Sequence, residues 1–93
     1  MYGTVKRQIG GTALKIYDYN GVKNISGDRI RQARTAKRLS QEALAAKMQV
    51  SGVVVEREAI SKIETGDRFV ADYELRAFSQ VLGVSMDWLT EQL

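Results

Sequence analysis

Apolar residues follow a helical spacing from Asp28 to the end of the chain, recurring every three or four positions. Such spacing is typical of helices that bury one face, and interruptions in it separate five short segments. The pattern predicts a compact all-α domain over residues 28–93, in which five helices surround one small core. Trp88 is the only large residue of the last segment, so we expect it to be that helix's buried anchor. The apolar positions expected in the core are Ile30, Ala33, Leu44, Ala45, Met48, Ile60, Ile63, Leu75, Phe78, Val81, Leu82, Trp88 and Leu89. Ala36 or Lys37 is expected on the same side of the first helix, and Leu93 on the same side of the last.

Residues at the ends of these segments are typical of helix caps. Ser40, Asp72 and Ser85 precede the second, fourth and fifth segments. At those positions a side-chain oxygen can accept from the free backbone N–H groups of a first turn. Gly66 and Gly83 follow the third and fourth segments and suit the left-handed conformation that ends many helices.

The first 27 residues lack the helical spacing and are predicted to form an N-terminal extension. A Gly-Gly pair at 10–11 and an Asn-Gly pair at 20–21 are typical of tight hairpin turns, because both tolerate positive φ angles. Two alternatives remain open for this extension. One is a β-hairpin over residues 4–17, which needs a surface to lie on, and the other is a flexible arm.

Composition excludes several classes of enzyme and metal site. The 93 residues suffice for one domain, and they include neither histidine nor cysteine. This removes the usual zinc ligands, a cysteine nucleophile, a histidine base and any disulfide. No glycine-rich phosphate loop and no carboxylate pair beside a nucleophile is evident. We therefore expect a protein that is not an enzyme and that needs neither a metal nor another cofactor.

Positive charge is concentrated at the N-terminal end of a chain whose net charge is +3. Residues 1–27 have a net charge of +3 and residues 28–38 of +4, whereas residues 70–93 have −3. Such an uneven distribution of charge attracts a polyanion to one end of the molecule. A basic helix face that is simply exposed to solvent explains the charge equally well. No apolar run approaches the length of a membrane span, and the N-terminus lacks a signal peptide's apolar stretch. We expect a cytoplasmic protein without membrane contact.

Four stretches of the chain carry a resemblance to a known family. They occur in the family's order, as Ile30–Arg34, Leu39–Ala45, Ile60–Gly66 and Leu82–Leu89. Over residues 28–91 the chain resembles the phage-repressor/Cro-type helix-turn-helix family, also called the XRE family. The resemblance implies a sequence-specific transcriptional regulator, a repressor, that binds a double-stranded DNA operator as a homodimer. It also implies that helix 56–65 is the recognition helix, which enters the major groove.

The predicted recognition helix has an inner and an outer face. Its two isoleucines face the core, which leaves Arg57, Glu58, Ser61 and Lys62 available to the groove. Arginine or lysine can bind guanine O6 and N7, and glutamate can accept from cytosine N4. By position, the resemblance implies base contacts for Arg57, Glu58 and Lys62. The alternative for each of these side chains is a solvated helix face.

The resemblance also implies phosphate contacts and one structural ion pair. Gln41 begins the second helix, where N–H groups and the helix dipole favour phosphate, and is expected to hold the DNA backbone. Thr65 and Arg68 lie just past the recognition helix and are expected to bind the next phosphates. Arg34 and Glu64 match positions at which related repressors form an ion pair. We expect this pair to fix the angle between the first and third helices.

The chain departs from the family pattern between the second and third helices. Ten positions lead from Val50 to Ile60, several more than is usual, so residues 49–55 contain an insertion. The three valines at 53–55 are expected to pack over the edge of the core, with a role in dimer contact as the alternative. A longer turn changes where the recognition helix starts, which affects Arg57 and Glu58 more than Lys62.

Dimerisation and partner choice leave alternatives open. A symmetric surface is expected either on the last helix, through Met86, Trp88 and Leu93, or on the N-terminal extension. The alternative to an operator-binding regulator is an antitoxin or protein-interaction module, which binds a partner protein through the extension.

Overall fold

Five helices follow one another in residues 19–91, the part of the chain that the computed structural model describes. They are α1 (Gly27–Ala36), α2 (Gln41–Val50), α3 (Arg57–Thr65), α4 (Asp72–Leu82) and α5 (Met86–Leu89). The predicted all-α architecture is therefore confirmed. The hairpin expected over residues 4–17 lies outside the described residues, as does Leu93.

Two of the three predicted N-caps are present. Ser40 Oγ accepts a hydrogen bond from the Ala43 N–H at 2.9 Å, and Ser85 Oγ accepts an equivalent bond at the start of α5 at 3.0 Å. The prediction for α4 is wrong, because Asp72 is the first residue inside the helix and Ala71 occupies the N-cap position. Alanine has no side-chain acceptor, so the start of α4 depends on other contacts.

The core is apolar and receives side chains from every helix. Trp88, expected as the buried anchor of α5, is only half-buried, and the Arg29 guanidinium lies 4.6 Å from the centre of its indole ring. Leu89 is the fully buried residue of α5. The core consists of Ile30, Ala33, Leu44, Met48, Val55, Ile60, Ile63, Ala77, Phe78, Leu82 and Leu89. Partly buried apolar residues at its edge include Ala45, Leu75, Val81 and Trp88.

The end of the N-terminal extension packs against the C-terminus of α3. Asn20 and Gly21 have φ angles of 52° and 86°, which confirms a tight turn at the Asn-Gly pair. Gly66 ends α3 with a φ of 85°, and a Cβ at this position would lie 2.7 Å from the Val22 side chain. Glycine is therefore required there both by the backbone conformation and by the approach of the turn.

Asn24 joins three parts of the domain. Its Oδ1 accepts from the Gly27 N–H at 2.7 Å, in the first turn of α1. Its Nδ2 donates to the carbonyl oxygens of Ile63 at 3.0 Å and Arg68 at 2.8 Å, 39 and 44 residues away. This one amide therefore fixes the start of α1 beside the end of α3.

A partly buried ion pair connects α1 to α3. Arg34 Nε and Nη2 donate to the two carboxylate oxygens of Glu64 at 2.6 and 3.0 Å, and Arg34 Nη1 donates to the Leu39 carbonyl at 2.7 Å. The side chains of Arg34 and Glu64 are only 13% and 4% exposed, so each charge is stabilised by the other instead of by water. The hydrogen bonds to Glu64 raise the pKa of Arg34 against the opposing effect of burial. The Arg34 guanidinium therefore stays protonated beside Glu64.

A second ion pair holds the loop between α3 and α4. Arg68 Nη1 and Nη2 donate to the carboxylate of Glu74 at 3.0 and 3.1 Å, and Glu74 Oε1 also accepts from the Ala71 N–H at 3.0 Å. Glu74 is buried, and burial by itself raises the pKa of its carboxyl. The hydrogen bonds from Arg68 and Ala71 outweigh burial, so the pKa of Glu74 lies below its ordinary value. This carboxylate therefore satisfies the backbone N–H of the N-cap residue, Ala71, at the start of α4.

Removing one partner of the first pair should destabilise the domain far more than removing both. Arg34→Met leaves the Glu64 carboxylate buried without its cation, and we expect it to lower the unfolding free energy by about 3 kcal/mol. Arg34→Met combined with Glu64→Leu should recover most of that loss, as measured by urea denaturation. Arg31→Met is the matched control, because its pair with Asp28 is exposed and should contribute under about 1 kcal/mol. A double variant no more stable than the single one would contradict this account.

Acid sensitivity should depend on Glu74. A carboxyl whose folded pKa lies below its unfolded pKa, about 4.3, stabilises the fold fully above that pH. The contribution is lost as the pH falls through the folded pKa. Glu74→Gln should therefore make the unfolding free energy less dependent on pH below about 4.3, in denaturation curves collected across that range. Arg68→Met should change the same slope, because Glu74 then keeps the cost of burial and loses its cation. An unchanged slope in both variants would rule out this role.

Candidate nucleic-acid interface

α3 lies against α1 and α2 through its inner face and exposes its outer face. Ile60 and Ile63 are fully buried, as the spacing predicts, and hold the helix on the core. The helix begins one residue later than predicted, at Arg57, with Glu56 as its N-cap. The outer face carries Arg57, Glu58, Lys62 and Thr65, which are exposed, and Ser61, which is half-buried.

The charged residues at the start of α3 are loosely held. Arg57 Nη2 lies 3.3 Å from Glu58 Oε2, and both side chains are more than half exposed. An exposed pair of this kind is worth at most about 1 kcal/mol, so either side chain can be redirected to another partner. Lys62, one turn further along, forms no ion pair within residues 19–91. The outer face of α3 therefore presents polar groups that a ligand can engage at little cost.

Gln41 is already part of the contact between α2 and α3. It is the first residue of α2, and its Nε2 donates to Glu64 Oε1 at 3.1 Å. The side chain is half-buried, so the amide lies in a defined place beside the ion pair of Arg34 and Glu64. The N-terminus of α2 is thus positioned relative to α3 by the residue expected to meet phosphate. That phosphate contact stays a prediction.

The two residues expected to bind phosphates after α3 have partners within the protein. The Thr65 hydroxyl lies 3.1 Å from the Lys62 carbonyl oxygen and 3.0 Å from Asp67 Oδ2, and can donate its one proton to either. Arg68 is bound through two nitrogens to Glu74, although a third of its side chain is exposed. In the structure both side chains shape the loop, and a phosphate contact by either one stays a prediction.

The lengthened turn between α2 and α3 is well anchored. Gly52 has a φ of 97°, and the Val53 N–H donates to the Met48 carbonyl at 3.2 Å. Val55 is 2% exposed and belongs to the core, and Val53 is half-buried against it. The expectation that all three valines pack over the core is wrong for Val54, which is 64% exposed. Because Val55 fixes the end of the turn, the insertion leaves the inner face of α3 on the core.

Two further findings bear on other kinds of site. Within residues 19–91, no group of three or more acidic, cysteine or histidine side chains is arranged to hold a metal ion. The same residues contain no helix long and apolar enough to cross a membrane.

Comparisons with known proteins agree with this architecture. A sequence model of the helix-turn-helix family matches residues 30–89, which is more than half of the chain. A search of curated proteins found no match. The crystal structure of the restriction-modification controller protein C.AhdI from Aeromonas hydrophila is similar, with a TM-score of 0.58 and 33% sequence identity. That similarity covers 68% of this chain and 84% of the controller protein. The chain belongs to the XRE-type helix-turn-helix family of DNA-binding transcriptional regulators.

Proposed function

We propose that this protein binds a specific double-stranded operator, reads its major groove with α3, and represses transcription from the promoter it covers. The observation that carries the proposal is the two-faced character of α3. Two isoleucines hold its inner face on the core, while charged and polar side chains occupy its outer face. The major groove of B-DNA is about 12 Å wide and admits one such helix.

Reading of base edges is assigned to the outer face of α3. Arg57 and Lys62 have the donors that bind guanine O6 and N7, and Glu58 can accept from cytosine N4. Ser61 can donate to or accept from several base edges, which makes it the least selective of the four. The weak pair between Arg57 and Glu58 supports this assignment, because both side chains can leave it at small cost.

Positioning on the backbone is assigned to the residues around α3. Gln41 lies at the N-terminus of α2, where backbone N–H groups favour phosphate. Thr65 and Arg68 lie at the other end of the recognition helix and are proposed to border the next phosphates. The net charge of +7 over residues 1–38 supplies a sequence-independent attraction to DNA.

Repression is the simplest outcome of operator binding, because a bound protein excludes the polymerase from the same duplex. A reporter driven by the operator-containing promoter should lose transcription when the protein is supplied. Such a protein acts where the DNA is, which fits the expected cytoplasmic location. The alternative, an antitoxin or protein-interaction module, has no specific support in the fold or the comparisons and stays a prediction.

A homodimer is proposed as the DNA-bound form, because two recognition helices must lie one DNA turn apart to read two half-sites. The contact must then leave the outer face of α3 free for DNA. Met86 and Trp88 of α5 are half-buried. Exposed apolar residues instead occupy the flank beside the C-terminus of α3, which we call the aromatic flank. Its exposed members are Tyr19, Ile25 and Phe69.

The roles of Lys62 and Gln41 should separate when affinity is compared on two duplexes. Lys62→Ala should cost about 1–3 kcal/mol on a duplex selected from a random pool and flatten the preference at one base pair per half-site. Gln41→Ala should weaken the selected and a scrambled duplex by a similar factor. Fluorescence anisotropy across a range of salt concentrations measures both affinities.

Lys47→Ala is the matched control for the loss of charge, since Lys47 is an exposed lysine in the last turn of α2. It should leave the sequence preference intact. Because Gln41 also binds Glu64, thermal melting must show that Gln41→Ala is folded. The proposed roles would be reversed if Lys62→Ala lowered the affinity for both duplexes equally and Gln41→Ala erased the preference for the selected duplex.

The dimer proposal predicts two protomers per selected duplex at saturation. Phe69→Glu places a charge on the aromatic flank and should abolish cooperativity, so that the two half-sites fill independently in a titration followed by native mass spectrometry. Val50→Glu adds the same charge to an exposed apolar residue at the end of α2 and should retain two cooperative protomers. One protomer of the unmodified protein at saturation would refute the dimer. Equal effects of the two variants would refute the chosen surface.

A further inference from the structure

Val54 is an exposed apolar side chain held in a fixed position. It is 64% exposed, while the residues on either side are anchored, Val55 in the core and Val53 against its edge. The backbone before it is fixed by hydrogen bonds from Gly52 N–H to the Gln49 carbonyl at 3.0 Å and from Val53 N–H to the Met48 carbonyl. A β-branched side chain has few rotamers, so Val54 projects one rigid apolar surface from the lengthened turn.

The surroundings of Val54 are the two helix starts that face DNA in the proposed function. Val54 borders an open groove of about 370 Å³ together with Glu42, in the first turn of α2, and Arg57 and Glu58, in the first turn of α3. The carboxylates and the guanidinium in this groove are polar, whereas Val54 adds two methyl groups to it. The inserted turn therefore brings an apolar contact to the edge of the recognition surface.

We propose that Val54 is a specificity-determining residue that packs against the C5 methyl group of a thymine in the major groove. Thymine alone among the four bases presents a methyl group there, and apolar side chains recognise it by contact. A valine opposite a polar base edge would leave a donor or acceptor without a partner, which disfavours the other bases. This inference rests on the proposed function, because it requires α3 to lie in the major groove.

The test is a double-mutant cycle. The methyl group is removed from the DNA and the Val54 side chain is truncated in the protein, first separately and then together. Each thymine of the selected duplex is replaced in turn by uracil, which differs only in lacking the C5 methyl group. For the unmodified protein, uracil at one position per half-site should weaken binding about fourfold, the expected effect of one buried methyl group. Val54→Ala should weaken binding to the thymine duplex by a similar factor and be insensitive to uracil at that same position.

Two controls keep the interpretation clear. Val50→Ala truncates another exposed valine outside this groove and should keep the full response to uracil. Because Val54 is exposed, Val54→Ala should leave the urea denaturation midpoint unchanged. If Val54→Ala responds to uracil at every position as the unmodified protein does, the assignment is overturned while operator binding stands. If no duplex is selected from the random pool, the proposed function and this inference both fail.

Discussion

The relative orientation of α1, α2 and α3 depends on one buried carboxylate, that of Glu64. It accepts two hydrogen bonds from Arg34 of α1 and one from Gln41 of α2, while belonging itself to α3. Arg34 also donates to the Leu39 carbonyl, in the connection between α1 and α2. Three helices therefore meet at one charge-assisted network. A helix-turn-helix must present the starts of α2 and α3 in one fixed arrangement, and directional bonds define that arrangement better than apolar packing alone.

The same need for fixed geometry determines which cations stay available for DNA. Arg34 and Arg68 each give their guanidinium to a buried carboxylate, Glu64 in one case and Glu74 in the other. Both guanidiniums help to hold the fold, and only Arg68, a third of whose side chain is exposed, is also proposed to border a phosphate. The cations on the outer face of α3 are those with weak or no internal partners. A cation that binds a buried carboxylate therefore helps to hold the fold, whereas a cation without such a partner is available for the proposed contacts with DNA.

Most of the fold could be predicted because its signals are local. The helical spacing, the Ser40 cap and the left-handed Gly66 each concern residues within one or two turns of one another. What could not be predicted depends on distant partners. Asn24 binds backbone atoms 39 and 44 residues away, and nothing in its neighbourhood in the sequence indicates that. The size of Trp88 predicts a buried ring. The ring instead lies at the edge of the core, where the Arg29 guanidinium stacks on it.

The candidate site was predictable in its residue types and less so in its geometry. The outer face of α3 follows from periodicity, but the lengthened turn before it does not. Its length is tolerated because Val55 returns the chain to the core before α3 starts at Arg57. Once that anchor is in place, the turn can extend outward through Gly52 and Val54 without moving Ile60. An insertion that leaves the inner face of the helix on the core can still alter the outer edge of the proposed recognition surface. In this fold, that edge is where a longer turn can add sequence specificity.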